Sequence, residues 1–222
     1  MQILSFLLLA VVVTGIAGLC YVYKIGPFRP LLSRERYLAI RDVIRTTPTA
    51  VIVFGDSIVE AAPLPPSICG TQIVNAGIGG AGIDYFVRYS KELLGASAPK
   101  LIVLAVGIND AHEETLRSFR SRYQSAVTAL SQRAPLVLAT IAPVEPGTFT
   151  QMIIPGALPL LNETIKDTGE AIIDLNEQMI GSQLTTDGVH LNAKGYALWT
   201  RAIIVGIKKG LGCAERDGCA HC

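Results

Sequence analysis

Ser57, Asn109, Asp187 and His190 carry the side chains from which a hydrolytic site can be assembled. Asp187 and His190 are three residues apart, with Gly188 between them. A carboxylate that near can turn back onto a His ring nitrogen and fix its tautomer. The other ring nitrogen is then free to take the proton of a serine hydroxyl, which is what activates a weak oxygen nucleophile. Ser57 stands where such a serine is useful. It follows Gly55 and Asp56 at the end of the apolar run 51–54, at the mouth of a buried strand, where open α/β sheets bind their ligands. Asn109, in Gly107-Ile108-Asn109-Asp110, stands at the mouth of a second apolar run. Its amide N–H₂ can donate to a developing negative oxygen. The segment 75–80 reads Asn-Ala-Gly-Ile-Gly-Gly, and its glycines let the backbone approach a ligand and point N–H groups into a site. Each feature also has a plainer reading. Gly-Asp-Ser makes an ordinary turn or helix cap. The glycine segment and Asn109 suit simple turns, and 186–192 suits a loop leading into a helix capped by Asn192.

The elements that must position these residues follow from periodicity. The runs 51–54 and 101–106 are continuous and apolar but too short for independent helices, so they read as buried strands, the 101–106 run as a central parallel one, and 136–141 reads as another strand. Shorter strands fit 73–74 and 171–174. Between them lie helical stripes. Tyr37, Ile40 and Ile44 mark a helix over 34–45, capped by Ser33 and ended at Thr47-Pro48. Ile83, Phe86, Val87, Leu93 and Leu94 mark a second. Leu116, Phe119, Tyr123, Val127 and Leu130 mark a third over 114–132, and Tyr196, Trp199, Ile203 and Ile207 mark the last. The stretch 142–159 is long, rich in Pro and Gly, and carries Phe149, Met152, Ile153 and Ile154. It reads as a substrate rim, with a plain connector or a surface leaning on a bilayer as alternatives. Asn162-Glu163-Thr164 matches a glycosylation acceptor but starts what reads as a helix, so it is taken as incidental.

Composition narrows the class. A chain of 222 residues suffices for one domain with a substantial core. Lys and Arg number 19 against 18 Asp and Glu, a balance that gives no reason to expect a nucleic-acid partner. Five cysteines are too few and too uneven for a disulfide scaffold. Cys69 is isolated in a Pro-rich loop, which leaves the redox compartment open. At the tail, Cys213, Cys219, His221 and Cys222 offer three thiols and an imidazole for zinc. They contain only one CxxC, so a redox-sensitive tail is the expectation there, and no metal or cofactor is expected in the chemistry. Residues 3–23 contain no charge and are long enough, at about 1.5 Å per residue, to span a bilayer core. A single-pass N-terminal anchor is expected, with a cleaved signal or a buried helix as alternatives and the side of the membrane left open. The expected parts are 1–24 anchor, 25–48 linker and amphipathic helix, 49–208 catalytic domain and 209–222 Cys-rich tail.

Four blocks stand in order: Gly55-Asp56-Ser57, the 75–80 glycine segment, Gly107-Ile108-Asn109-Asp110 and Asp187-Gly188-Val189-His190. Together they resemble the SGNH hydrolase superfamily, the GDSL-type esterases, over about 49–208. The resemblance implies an α/β fold, a three-layer α/β/α sandwich with a flavodoxin-like, mostly parallel sheet of about five strands. It implies Ser57 as nucleophile, His190 as general base and later acid, and Asp187 as the orienting acid. The oxyanion hole would be Ser57 N–H, Gly80 N–H and the Asn109 amide, with Asp56 and Asn75 organising loops. Ala81 follows Gly80 where related acetylhydrolases often place Asp, so Gly79 and Gly77 stand as alternatives to Gly80. The expected function is serine-dependent hydrolysis of a small-molecule or lipid carboxylic ester through an acyl-enzyme. Acyl or acetyl transfer or removal on a membrane glycan or lipid, and a non-catalytic membrane-anchored binding domain, are the alternatives.

Overall fold

Every residue of β1 (Val51–Gly55) is buried, as an uninterrupted apolar run requires of a strand covered on both faces. A computed structural model describes residues 28–213 and places β1 inside a six-stranded sheet. The other strands are β2 (Ser67–Ile68), β3 (Thr71–Gly77), β4 (Leu101–Ala105), β5 (Leu136–Ala139) and β6 (Ala171–Ile173). Their spatial order is β2-β3-β1-β4-β5-β6. All pair in parallel except β2, which runs antiparallel to β3. The chain leaves β1 toward one edge of the sheet and leaves β4 toward the other. The carboxyl ends of these two neighbours therefore open a crevice, the place where such sheets take ligands.

The helices are α1 (Phe28–Thr46), α2 (Ser57–Glu60), α3 (Ile83–Leu94), α4 (Glu113–Ser131), α5 (Ala157–Lys166), α6 (Leu175–Gln178) and α7 (Ala193–Gly210). Alternation along β1 divides them between two layers. Val51 and Val53 face a core shared with Val59 of α2 and Trp199, Ile203 and Ile207 of α7. Phe54 points to the other face, where its ring lies 5.4 Å from that of Phe86 in α3. The result is a three-layer α/β/α arrangement around a mostly parallel sheet. Backbone contacts divide the chain into two units, Met1–Ala39 and Ile40–Cys222, and within the second Ile40 and Ile44 at the end of α1 are buried.

Four details depart from the expected elements. α1 begins at Phe28, inside the expected linker, so Ser33 lies within the helix and not at its cap. β2 lies in the Pro-rich loop and is too short to show any periodicity. α2 and α6 are single turns, each opened by an aspartate, Asp56 or Asp174, whose side chain accepts a backbone N–H of the first turn. α5 begins at Ala157, so Asn162 is mid-helix, and its side-chain oxygen accepts the Ile141 N–H at 2.8 Å.

The membrane expectation is corrected. Among the described residues no helix is long and apolar enough to cross a membrane. The longest of them, α1 and α4 at 19 residues each, are interrupted by charged side chains. The stretch 3–23, from which the sequence predicts a single-pass anchor and a membrane partner, lies outside the described residues. Neither anchor nor membrane partner enters the functional reading.

Cys69, in the turn between β2 and β3, is disulfide-bonded to Cys213, just past α7, with the two Cα atoms 6.5 Å apart. This departs from the reading of Cys69 as isolated and of Cys213 as part of a tail cluster. Cys219, His221 and Cys222 lie outside the described residues. Among the described residues no group of three or more His, Cys, Asp or Glu side chains is arranged to hold a metal ion. The bond spans 144 residues of sequence. Replacing both cysteines, Cys69→Ser with Cys213→Ser, should lower unfolding stability by on the order of 2–4 kcal/mol. Chemical denaturation with and without dithiothreitol checks this. The reductant should bring wild type down to the double variant and leave the variant where it is.

Candidate active site

The Asp187–His190 turn is built by one carboxylate. Asp187 Oδ1 accepts the N–H groups of Val189 at 3.0 Å and His190 at 2.8 Å. Oδ2 is thereby aimed at the imidazole and accepts from His190 Nδ1 at 2.7 Å. A proton held on Nδ1 leaves Nε2 as an acceptor, and Ser57 Oγ donates to it at 3.0 Å. Burial works against the charged Asp187. The hydrogen bonds from the His190 N–H, the His190 ring and the Val189 N–H outweigh it and hold the carboxyl below its usual range. Gly188 has φ +99°, and a Cβ there would lie 2.5 Å from the Glu145 carbonyl oxygen. Only glycine lets the two loops lie this close.

Ser57 is the first residue of α2, directly after Asp56 at the N-cap. Asp56 Oδ1 accepts the Ile58 N–H at 2.9 Å. Burial pushes the Asp56 carboxyl up to about 7, while the Ile58 N–H and the neighbouring His190 pull it the other way. Asp56 and Ile58 share a crevice with Val106, Ile108, Ile141 and Trp199. Asp56 and Ile58, on either side of Ser57, and Ile108, beside Asn109, thus line one space at the carboxyl ends of β1 and β4.

The glycine segment follows β3 and is held from two sides. Asn75 Nδ2 donates to the Val59 carbonyl at 2.6 Å, and Asn75 Oδ1 accepts the Gly77 N–H at 3.0 Å. Gly79 N–H donates to Glu60 Oε2 at 2.6 Å. Gly80 is exposed, and its N–H makes no hydrogen bond among the described residues. From the other side, Asn109 Nδ2 donates to the Ala81 carbonyl at 3.1 Å. The buried Asp110 carboxylate accepts the Ile83 N–H at 2.9 Å. Burial pushes Asp110 up to about 6, opposed by the Ile83 N–H. Glu60 and Asp110 do the loop-fixing for which the sequence offers no Asp after Gly80.

The structure therefore links Ser57, His190 and Asp187 through consecutive hydrogen bonds and joins Asn109 to the glycine segment through Ala81. His112 is turned away: its Nδ1 donates to the Met152 carbonyl at 2.7 Å. Glu145 escapes sequence reasoning, as does the contact that Phe149 makes with His190. The Glu145 carboxylate accepts from Leu184 N–H, Thr185 N–H and, at 2.7 Å, Thr185 Oγ1. The Thr185 hydroxyl and the backbone N–H groups hold its pKa low despite some burial. Phe149 sets its ring edge-on to His190, with centroids 5.2 Å apart. Phe149 stands in the sequence reading as part of a substrate rim, without its partner; Glu145 gave no signal.

An oxygen nucleophile hydrogen-bonded to a histidine that a carboxylate orients is the machinery of acyl transfer through a covalent intermediate. At the carboxyl edge of this sheet it defines a serine-dependent ester hydrolase. Residues 53–198 match the GDSL-like Lipase/Acylhydrolase family, and the chain belongs to that family. Solved structures share the fold. A Streptococcus pneumonia protein provisionally described as a platelet activating factor superposes with a TM-score of 0.68 at 19% identity, over 83% of this chain and 96% of its own. A GDSL-like lipase from Bacteroides thetaiotaomicron gives 0.62 at 20% identity, over 80% and 98%. An acetylxylan esterase from Geobacillus stearothermophilus, solved as a catalytic mutant, gives 0.56 at 17% identity, over 72% and 94%. At these identities the likeness is one of fold. No curated protein matches the chain.

The raised Asp56 predicts a pH dependence. A carboxyl whose pKa rises on folding binds its proton more tightly in the folded state. Its contribution to stability is present at low pH and is lost as pH climbs from the ordinary carboxylate range through about 7. Asp56→Asn keeps an acceptor for Ile58 N–H without the charge. Its denaturation midpoint should gain on wild type between pH 5 and pH 8. A difference that stays constant over that range would mean Asp56 is already ionised at pH 5 in the folded protein, as it is in the unfolded chain.

Proposed function

We propose that Ser57 is the nucleophile of this ester hydrolase, His190 its general base and acid, and Asp187 the acid that orients the imidazole. The observation that carries the reading is the 3.0 Å hydrogen bond between Ser57 Oγ and His190 Nε2. His190 Nε2 takes the Ser57 proton as Oγ attacks the ester carbonyl carbon. The negative charge that develops on the carbonyl oxygen is met by N–H donors of Ser57 and Gly80 and by the Asn109 amide. When the tetrahedral species collapses, the bond to the alcohol oxygen breaks, and the alcohol leaves with the proton from His190. Water then enters and loses a proton to His190 as it attacks the acyl carbon; when this second tetrahedral species collapses, the acyl–Oγ bond breaks, Ser57 Oγ takes the proton back from His190 and the carboxylic acid leaves. Asp187 stays ionised through the cycle and stabilises the imidazolium.

The oxyanion assignment draws support from which donors are already committed. Gly77 N–H is bonded to Asn75 Oδ1, and Gly79 N–H to Glu60. Gly80 N–H carries no such bond among the described residues. Asn109 spends one amide hydrogen on Ala81 and keeps a second for the substrate. We assign the catalytic domain to residues 49–208, which contain all of these groups.

Hydrolysis of p-nitrophenyl esters from acetyl to dodecanoyl tests the assignment. Ser57→Ala should abolish turnover, and a fluorophosphonate should label wild type but not that variant. Asn109→Ala should lower kcat by on the order of 10²-fold. Wild-type rates in folded Asn109→Ala would remove it from the oxyanion hole, and turnover independent of Ser57 would end the proposal.

A further inference from the structure

The loop 142–156 is tied to both walls of the site. On the His190 side, Glu145 N–H donates to the Gly188 carbonyl at 2.9 Å and Phe149 N–H to the Asp187 carbonyl at 3.2 Å. On the Asn109 side, Ile154 N–H donates to the Ala111 carbonyl at 3.0 Å, and His112 holds the Met152 carbonyl. Between these ties the loop presents Phe149 and Met152, 43% and 55% exposed. An aromatic ring of this size, half open to water on a segment fixed at both ends, is a preorganised contact surface.

The two halves of an ester lie in different places here. The carbonyl oxygen must face the Asn109 and Gly80 donors. The alcohol oxygen must lie within reach of His190 Nε2, because that nitrogen returns the proton as the bond to the alcohol breaks. Phe149 is the aromatic ring packed on the His190 imidazole, at 5.2 Å and 89°. Its open face therefore borders the alcohol half. A flat ring buries more area against a flat ring than a short alkyl chain does, and aromatic pairing adds to that area.

We propose that Phe149 forms a leaving-group subsite that selects esters whose alcohol carries a neutral six-membered ring one carbon from the ester oxygen. The inference rests on His190 as the donor to the leaving alcohol. It separates the alcohol preference, set by Phe149, from the acyl preference, set elsewhere in the crevice.

The test compares benzyl and ethyl esters of acetic and of octanoic acid, whose alkoxide leaving groups are of similar basicity, with acid release followed by pH-stat. Wild type should favour the benzyl ester in kcat/KM by on the order of tenfold. Phe149→Ala should bring that ratio down to about twofold or less. Phe149→Tyr, which keeps the ring, should preserve the preference. Equal loss on benzyl and ethyl esters would mean that Phe149 only steadies His190, and would overturn the subsite while leaving the esterase intact. The same holds for a wild type that shows no benzyl preference. Acid release from none of the esters above the Ser57→Ala background would overturn the catalytic reading, and the subsite with it.

Discussion

The Asp187 carboxylate has three donors to satisfy, and the catalytic geometry follows from how they share it. Two backbone N–H groups take one oxygen, and that fixes the turn. The remaining oxygen can only look toward the imidazole, which in turn presents Nε2 to Ser57. The side chain that orients the base also folds the loop that carries the base. Glu145 repeats the device one step outward. By gathering Leu184, Thr185 and the Thr185 hydroxyl onto one carboxylate, it fixes the chain leading into the catalytic turn. The imidazole is thus set by local hydrogen bonds between neighbours in sequence, with long-range ties from Glu145 and Phe149 behind them.

The carboxylates of the site fall into two groups of opposite character. Asp187 and Glu145 sit toward the surface, where accepted hydrogen bonds hold their pKa values down. Asp56 and Asp110 sit next to Ser57 and Asn109, where loss of water pushes theirs up. The outer pair is electrostatically settled. The inner pair serves as hydrogen-bond acceptors for the first turns of α2 and α3 at a cost in desolvation. A charge developing at Ser57 and His190 forms between these two layers.

The sheet was readable because its central strands are covered on both faces and therefore appear as continuous apolar runs. The polar residues directly after those runs, Ser57 and Asn109, were readable for the same reason: they mark where the strand stops being buried. Asp187 and His190 could be paired because their interaction is local. What could not be read shares one property, that its partner is distant in sequence. Glu145 acts on Thr185, Asp110 on Ile83, Glu60 on Gly79 and Cys69 on Cys213. The absence of Asp after Gly80 was visible, but the side chains that stand in for it come from other elements. The order of strands, which alone brings those elements together, has no local signature. The N-terminal apolar stretch was prominent in the sequence, yet it lies outside the described residues.

The Cys69–Cys213 bond gives the domain an unusual covalent topology. Everything from the β2–β3 turn to the end of α7 becomes a closed ring, and Asn109, Asp187 and His190 all lie on it. Ser57 lies on the strand of chain outside it. In the oxidised protein a protease that cuts the exposed loop 142–156 opens the ring but frees no fragment. The base and the oxyanion donor stay on one connected molecule with the nucleophile. In the reduced protein the same cut would leave two pieces joined only by their packing.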